Sequence, residues 1–482
     1  MHIKDKTLLY LASLLFLIAN VYFIHKENFY FSLLPLLLII IFIAFLNIDK
    51  TLLTIVFLTP LSISLREFFP QLFFDMYVPT EPLIVGVMFI FILKLILQKN
   101  INKQIFLHPI SLAIYLNLFW LFITIFTSTM PIVSLKYLLV RIWFISTFYF
   151  VAIQLFKNPV YIYKYIWLYT ISLIIVIFYT LIRHSEYGLF YQKAANFVCS
   201  PFYNDHTSYG AALAFILPVL IGFLINRKHT LIKTITITLT IIIITTGLIF
   251  SYTRAAWLSL AIAFISFIII KSKIKFRNIL ISLIILLAFS FSFKTQILTS
   301  LKSNKQDSSS NITEQIQSMT NIASDASNLE RINRWSSALK MFKEKPFFGF
   351  GPGTYMFQYA PYQMSYDKTI ISTNFGDGGN AHSEYIGALV ESGVLGSITF
   401  IIILITTLYT AINLYSRLKN KELRILILSL TLGLISYYVH AFLNNFLDTD
   451  KISALFWGYT AIIVSIDIKN KLELQNDKIR KV

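Results

Sequence analysis

The residues able to do chemistry in this 482-residue chain are few, and they gather late in the sequence. Arg331 and Arg334 stand three apart, ahead of a glycine-rich run, PFFGFGPGTY (346–355). Then comes GDGGNAHSEYIGALVESGVLG (376–396), with His382, Glu384 and Glu391. Arginine is a permanent cation with a planar fork of donors. Histidine titrates near neutrality, and carboxylates beside an apolar run are costly and lean towards function. Each has a plainer reading. Arginines at this spacing project from neighbouring positions of one helical turn and can face solvent or lipid headgroups. A lone loop histidine can be structural, and alternate glycines allow tight turns without cradling a ligand. They are not a dinucleotide fingerprint, since no strand precedes them and the spacing is wrong. The only Asp-x-Asp, Asp448-Thr449-Asp450, sits in a short turn beside no histidine pair and reads as a polar cap, so no metal is expected. One cysteine, Cys199, excludes an internal disulfide and a thiolate cage.

The elements that must position these residues follow from composition. The chain is 56% hydrophobic and 13% charged, with a mean hydropathy of +0.70. A soluble domain carries about 25% charged residues. The expected fold is therefore an all-α polytopic membrane protein. Apolar runs at 7–24, 30–46, 51–65, 82–98, 109–126, 136–156, 160–182, 207–225, 232–250, 254–270, 278–293, 384–413, 425–443 and 452–467 suggest about 14 transmembrane helices (12–14). Run 51–65 is short, and 384–413 is long enough to begin outside the membrane. The first run follows Lys4 and Lys6 without a small-residue cleavage site and reads as an uncleaved anchor. The chain divides into an N-terminal bundle of about eleven helices (1–293), a large external loop (294–383), and C-terminal helices with a basic tail (384–482).

Basic residues orient the bundle. The amino terminus, the even-numbered connections and the tail hold 24 of the 41 Lys and Arg. Outside the long loop, which is exempt from the rule, the odd-numbered connections hold 8. Both termini are thus expected in the cytoplasm and the long loop outside. The net charge of +18 then reports topology, with anionic membrane lipids as its partner and no nucleic acid.

Within the long loop, 302–328 is polar and poor in aromatics, the composition of a mobile segment. Order resumes at Ser327, which has capping-box spacing to Glu330. Leu329, Ile332, Trp335, Leu339 and Phe342 then recur at helical spacing. The spacing predicts an amphipathic interfacial helix over 328–344, lying on the membrane or on the bundle.

Four stretches resemble the O-antigen ligase and O-antigen polymerase family of membrane glycosyltransferases. They are SYTRAAWLSL (251–260), the segment from Arg331 through RWSSALKMFKEKPFFGFGPGTY, NAHSEYIGALVESGVLG, and FYNDHTSYGAALAFILP (202–218). The span count and the late external loop fit as well. Ser383 departs from the pattern, in which Asn is usual.

The resemblance implies a glycan donor linked to undecaprenyl diphosphate and an acceptor that is a lipid A-core sugar or a lipid-linked glycan. It implies a bacterial inner membrane location with the active site facing the periplasm, and no cofactor. Diphosphate leaves readily once its charge is neutralised, which arginine does with two parallel hydrogen bonds. Arg254, in the first turn of its span, and Arg331 would hold it, with Arg334 assisting. Arg254 could instead snorkel to the interface. His382 would be the general base on the acceptor hydroxyl, giving inversion at the anomeric carbon. Arg141, His206 and Glu384 are secondary candidates. A ligase, a polymerase and transfer to a protein hydroxyl share this donor chemistry. A lipid-linked oligosaccharide flippase is the alternative of another class, but neither repeats nor a midplane ion pair mark one.

Overall fold

The computed structural model describes residues 3–26, 30–33, 35, 47–71, 75–97, 102–226, 230–272, 326–364 and 379–479. Its principal helices are α1 (Ile3–His25), α2 (Ile48–Leu58), α3 (Thr80–Leu97), α4 (Pro109–Phe126), α5 (Pro131–Leu155), α6 (Pro159–Tyr187), α7 (His206–Ile225), α8 (Leu231–Phe250), α9 (Arg254–Lys271), α10 (Ala326–Glu344), α11 (Glu384–Arg417), α12 (Lys421–Leu443) and α13 (Asp450–Ile479). Among the described residues ten of these are long and apolar enough to cross a membrane: α3 to α9 and α11 to α13. The short run at 51–65 gives only the eleven-residue α2, which passes into a single tight turn at Thr59–Leu61 containing Pro60. The 278–293 run, most of 30–46 and the polar stretch 302–325 lie outside the described residues.

The fold is built around α13, the most buried of the spans. Its upper half packs Trp457, Tyr459 and Phe456 against Tyr149, Tyr165, Phe215 and Tyr437. Hydroxyls that deep need partners. Tyr165 donates to the Ala454 carbonyl at 2.7 Å and Tyr169 to that of Lys451 at 3.0 Å. Beside this core α12 lies on α7 and α9 through small residues, the usual currency of helix contact in lipid. Ser259 and Ser436 meet at 3.0 Å, and a Cβ on Gly222 would come within 2.5 Å of Ser429. A two-residue hairpin, β1 (Ile63–Ser64) with β2 (Tyr77–Val78), pairs antiparallel with Ser64 opposite Tyr77.

The long run at 384–413 is broken. Gly393 has φ 71°, and the chain re-aims there. The break frees three carbonyls, and each finds a donor. Phe350 N–H bonds Val390 at 3.0 Å, Gly351 N–H bonds Glu391 at 2.8 Å, and the Trp120 indole bonds Ser392 at 2.8 Å. Val394 N–H returns a bond to Pro346 at 2.9 Å. The glycine-rich run is thus stitched into the helix break. A Cβ at Gly393 would sit 1.9 Å from the Phe347 carbonyl oxygen, so glycine is required there both for φ and for space.

Candidate active site

Helix α10 forms where the periodicity predicts, but its apolar stripe is only partly packed, through Trp335 and Phe342. Asn333, Arg334, Ser337, Ala338 and Met341 are buried, whereas Ile332 and Leu339 are 39% and 47% exposed. Polar groups that become buried need protein partners. Arg334 has them. Its Nε donates to Glu330 Oε1 at 2.7 Å, its Nη1 to the Asn380 carbonyl at 3.0 Å, and its guanidinium lies 5.0 Å from the centroid of the Tyr359 ring. Glu330, read from its spacing as a capping-box partner of Ser327, holds Arg334 with its carboxylate. Arg331, one position round the same turn, donates from Nε to the Leu443 carbonyl at 3.2 Å, at the end of α12. Trp335 packs edge-on against Phe442 at 5.5 Å.

Arg254 opens α9 after the tight turn Ser251–Thr253. Thr253 Oγ1 donates to the His206 carbonyl at 2.7 Å, which ties the start of α9 to the start of α7. Gly210 permits that approach, since a Cβ there would lie 2.5 Å from Thr253 Oγ1. His206 is the first residue of α7, capped by Asp205, whose Oδ1 accepts the Thr207 and Ser208 N–H groups at 2.8 Å each.

His382 adopts φ 47°, a left-handed conformation uncommon outside glycine and costing of order 1–2 kcal/mol. The turn is held by Asn380 Oδ1, which accepts the His382 N–H at 3.0 Å. Ser383 is the N-cap of α11, accepting from Ile386 N–H at 3.3 Å. Serine and asparagine cap equally well, so its departure from the family pattern leaves the local structure intact.

The charges acting on these groups show which stand together. Arg331 is pushed down to about 10 by burial and by Arg254, against an opposing pull from Asp205. Burial, with Arg334 and Arg331 beside it, pushes the His382 imidazole down to about 4, opposed by Asp205 and Glu330. His206 faces the charges of Asp205, Arg331 and Arg254. His440, in the last turn of α12, faces those of Arg331 and Asp205. Arg331 is common to all of these environments. The ends of α7, α9 and α12, the helix α10 and the turn before α11 therefore bring Arg254, Arg331, Arg334, His206 and His382 into one electrostatic neighbourhood. At neutral pH it holds three guanidinium cations and a neutral His382 imidazole.

Arg141 and Glu384 fall into an adjacent cluster. Arg141 pairs with Asp448 at 3.0 Å and lies 3.7 Å from Glu384 Oε2, and it donates to Tyr137 Oη at 2.8 Å. Glu384 Oε1 accepts from Tyr437 Oη and from the Leu447 N–H. Glu391 spends both oxygens on the glycine-rich run, accepting Gly353 N–H at 2.9 Å and Tyr355 N–H at 3.2 Å. Asp450 starts α13 and accepts from Ser62 Oγ, Thr80 Oγ1 and Lys451 Nζ. Among the described residues no three His, Cys, Asp or Glu side chains gather as a metal site.

Sequence reasoning missed Asp205 and Asn380, read Glu330 only as a helix cap, and had no ground to select His440. Asp205 was readable as an N-cap before an apolar run, but its second role, opposing the arginine charges, needed the third dimension.

Residues 239–401, about a third of the chain, match the family model described as O-antigen ligase. The matched segment belongs to the O-antigen ligase family. This domain holds Arg254, Arg331, Arg334 and His382, whereas His206 and Arg141 lie outside it. The match supports a membrane glycosyltransferase-like role in O-antigen processing. No curated protein matches the chain.

Proposed function

We propose that the chain transfers a glycan from undecaprenyl diphosphate to a sugar hydroxyl, as in ligation of O-antigen to lipid A-core. The observation that carries the reading is the gathering of Arg254, Arg331 and His382, from three separated segments, around one polar site within the matched domain. Like charges repel, and two half-buried arginines side by side suit a ligand with two adjacent negative groups, as in a diphosphate. The acceptor oxygen attacks the anomeric carbon from the face opposite the diphosphate. The C–O bond to the diphosphate breaks, and its electron pair leaves on the phosphate oxygen. The acceptor proton passes to His382, a base that is already neutral at pH 7. Attack from that face inverts the anomeric centre, and no metal takes part. Charge stabilisation by Arg254 and Arg331 contributes more than the base, while Arg334 holds the histidine turn rather than the donor. The site faces the periplasm, with both termini in the cytoplasm.

His382→Ala in cells that make O-antigen tests this directly by gel analysis of lipopolysaccharide. A ligase loses the whole ladder and accumulates lipid-linked polymer. A core bearing a single repeat identifies a polymerase, and unchanged banding removes His382 from the chemistry.

A further inference from the structure

Next to the His382 turn, α4, α5, α11 and α13 enclose a cavity that the transfer chemistry above does not use. Asn380 is the shared wall: it lines the cavity while its carbonyl holds Arg334 and its Oδ1 holds the His382 N–H. Three carboxylates, Glu384, Glu391 and Asp448, line the cavity against one cation, Arg141, whose charge is already taken by Asp448. With Arg141 so paired, a phosphate or diphosphate finds no open cation there, which separates this cavity from the Arg254–Arg331 site.

Two lining atoms carry the argument further. Trp457, 2% exposed, has an indole N–H without a hydrogen-bond partner, and Asn445 Oδ1 is likewise buried and unpartnered. An unmet buried donor and an unmet acceptor each cost about 1–3 kcal/mol. A native structure retains such groups where something else satisfies them. A hydroxyl satisfies either kind of atom, accepting from the indole or donating to the amide oxygen. The carboxylates, already holding backbone N–H groups or Arg141, keep further lone pairs for hydroxyl donors. Leu121, Ile145 and Phe400 supply apolar wall, as the C–H faces of a sugar ring require.

We infer that this cavity is a subsite for a neutral sugar ring, lying beyond Asn380 from the reacting centre. The inference rests on the glycosyl-transfer reading and names where that reading's carbohydrate is gripped. It makes Trp457 and Asn445 binding residues and leaves the diphosphate to Arg254 and Arg331.

The test uses the full-length protein in nanodiscs and saturation-transfer NMR. The probes are glucose, galactose and N-acetylglucosamine, with inorganic pyrophosphate alongside. At least one neutral sugar should receive saturation at millimolar concentration. Trp457→Phe and Asn445→Ala should each weaken that binding about tenfold, with pyrophosphate binding retained. Pyrophosphate binding should instead be lost in Arg331→Gln. Using two lining variants guards against misfolding of either, and retained pyrophosphate binding reports the fold. Pyrophosphate bound with no sugar in the panel binding overturns the subsite and marks the cavity as water-filled, while glycosyl transfer stands. Sugar binding that survives both lining variants also overturns it. Pyrophosphate failing to bind, or binding undiminished in Arg331→Gln, overturns the transfer reading itself.

Discussion

Replacing Arg334 by Lys separates the two arginines that α10 carries. The Arg334 fork makes two bonds at once, from Nε to Glu330 at 2.7 Å and from Nη1 to the Asn380 carbonyl at 3.0 Å. Lysine keeps the charge but presents a single ammonium in place of that rigid fork, so one bond is lost. The side chain is 7% exposed, so solvent screening offers little relief. A hydrogen bond from a charged donor is worth about 1.5–3 kcal/mol, a factor of about 10 to 150. The lost bond is the one to Asn380, because Glu330 is the ion-pair partner and keeps the ammonium. Asn380 fixes the turn that presents His382, so the cost falls on kcat. The assay is steady-state transfer by purified protein with lipid-linked donor. Arg334→Lys should lower kcat by up to that factor and leave the donor KM within about twofold, whereas Arg331→Lys should raise the donor KM. A large rise in donor KM for Arg334→Lys at unchanged kcat would refute the reasoning, because it would place Arg334 on the diphosphate. An unchanged variant would show that the turn is not held from α10.

Two further outcomes follow from the same geometry. A Cβ at Gly210 would lie 2.5 Å from Thr253 Oγ1, an overpacking cost of about 1–3 kcal/mol. Gly210→Ala should therefore displace Arg254, raise the donor KM and lower the thermal midpoint, and an unaltered KM would mean that Arg254 is not in contact with donor. His382 must be neutral to accept a proton, and its imidazole is pushed down to about 4. Activity should hold as pH falls through 6.5 and be lost only as pH approaches 4, so the acid limb of kcat/KM should lie below pH 5. The bound diphosphate, being negative, should move the corresponding limb of kcat upwards; a limb of kcat/KM near 6.5 would place the base in an open, solvated position.

Much of the fold was legible because membrane helices announce themselves by length and apolarity, and ten of the fourteen runs are helices of spanning length among the described residues. The break in α11 was foreshadowed only by the length of its run. Gly393 marks it because the glycine-rich run 346–355 must insert there, a contact that periodicity does not encode. Helix α10 lies where the spacing placed it, but which face packs was not legible: Asn333, Arg334, Ser337, Ala338 and Met341 are buried, with Trp335 and Phe342 of the apolar stripe half-buried beside them. Arg254, Arg331 and His382 were named from residue type and family pattern, and the ends of α7, α9 and α12 explain how they meet. Asp205 escaped notice because a helix cap accounts for it fully at the level of sequence. The pairing of Arg141 with Asp448 joins segments from opposite ends of the chain, beyond any local signal.

The claim at the centre of this account is that Arg254 and Arg331 grip one diphosphate together. A double-mutant cycle on donor binding measures it: Arg254→Gln, Arg331→Gln and the pair, each with the same undecaprenyl-diphosphate-linked glycan. Groups sharing one ligand couple by about 0.5–3 kcal/mol. The pair should therefore bind donor more tightly than the product of the single losses requires. Strict additivity of the two losses, or full binding by either single variant, would contradict a shared site.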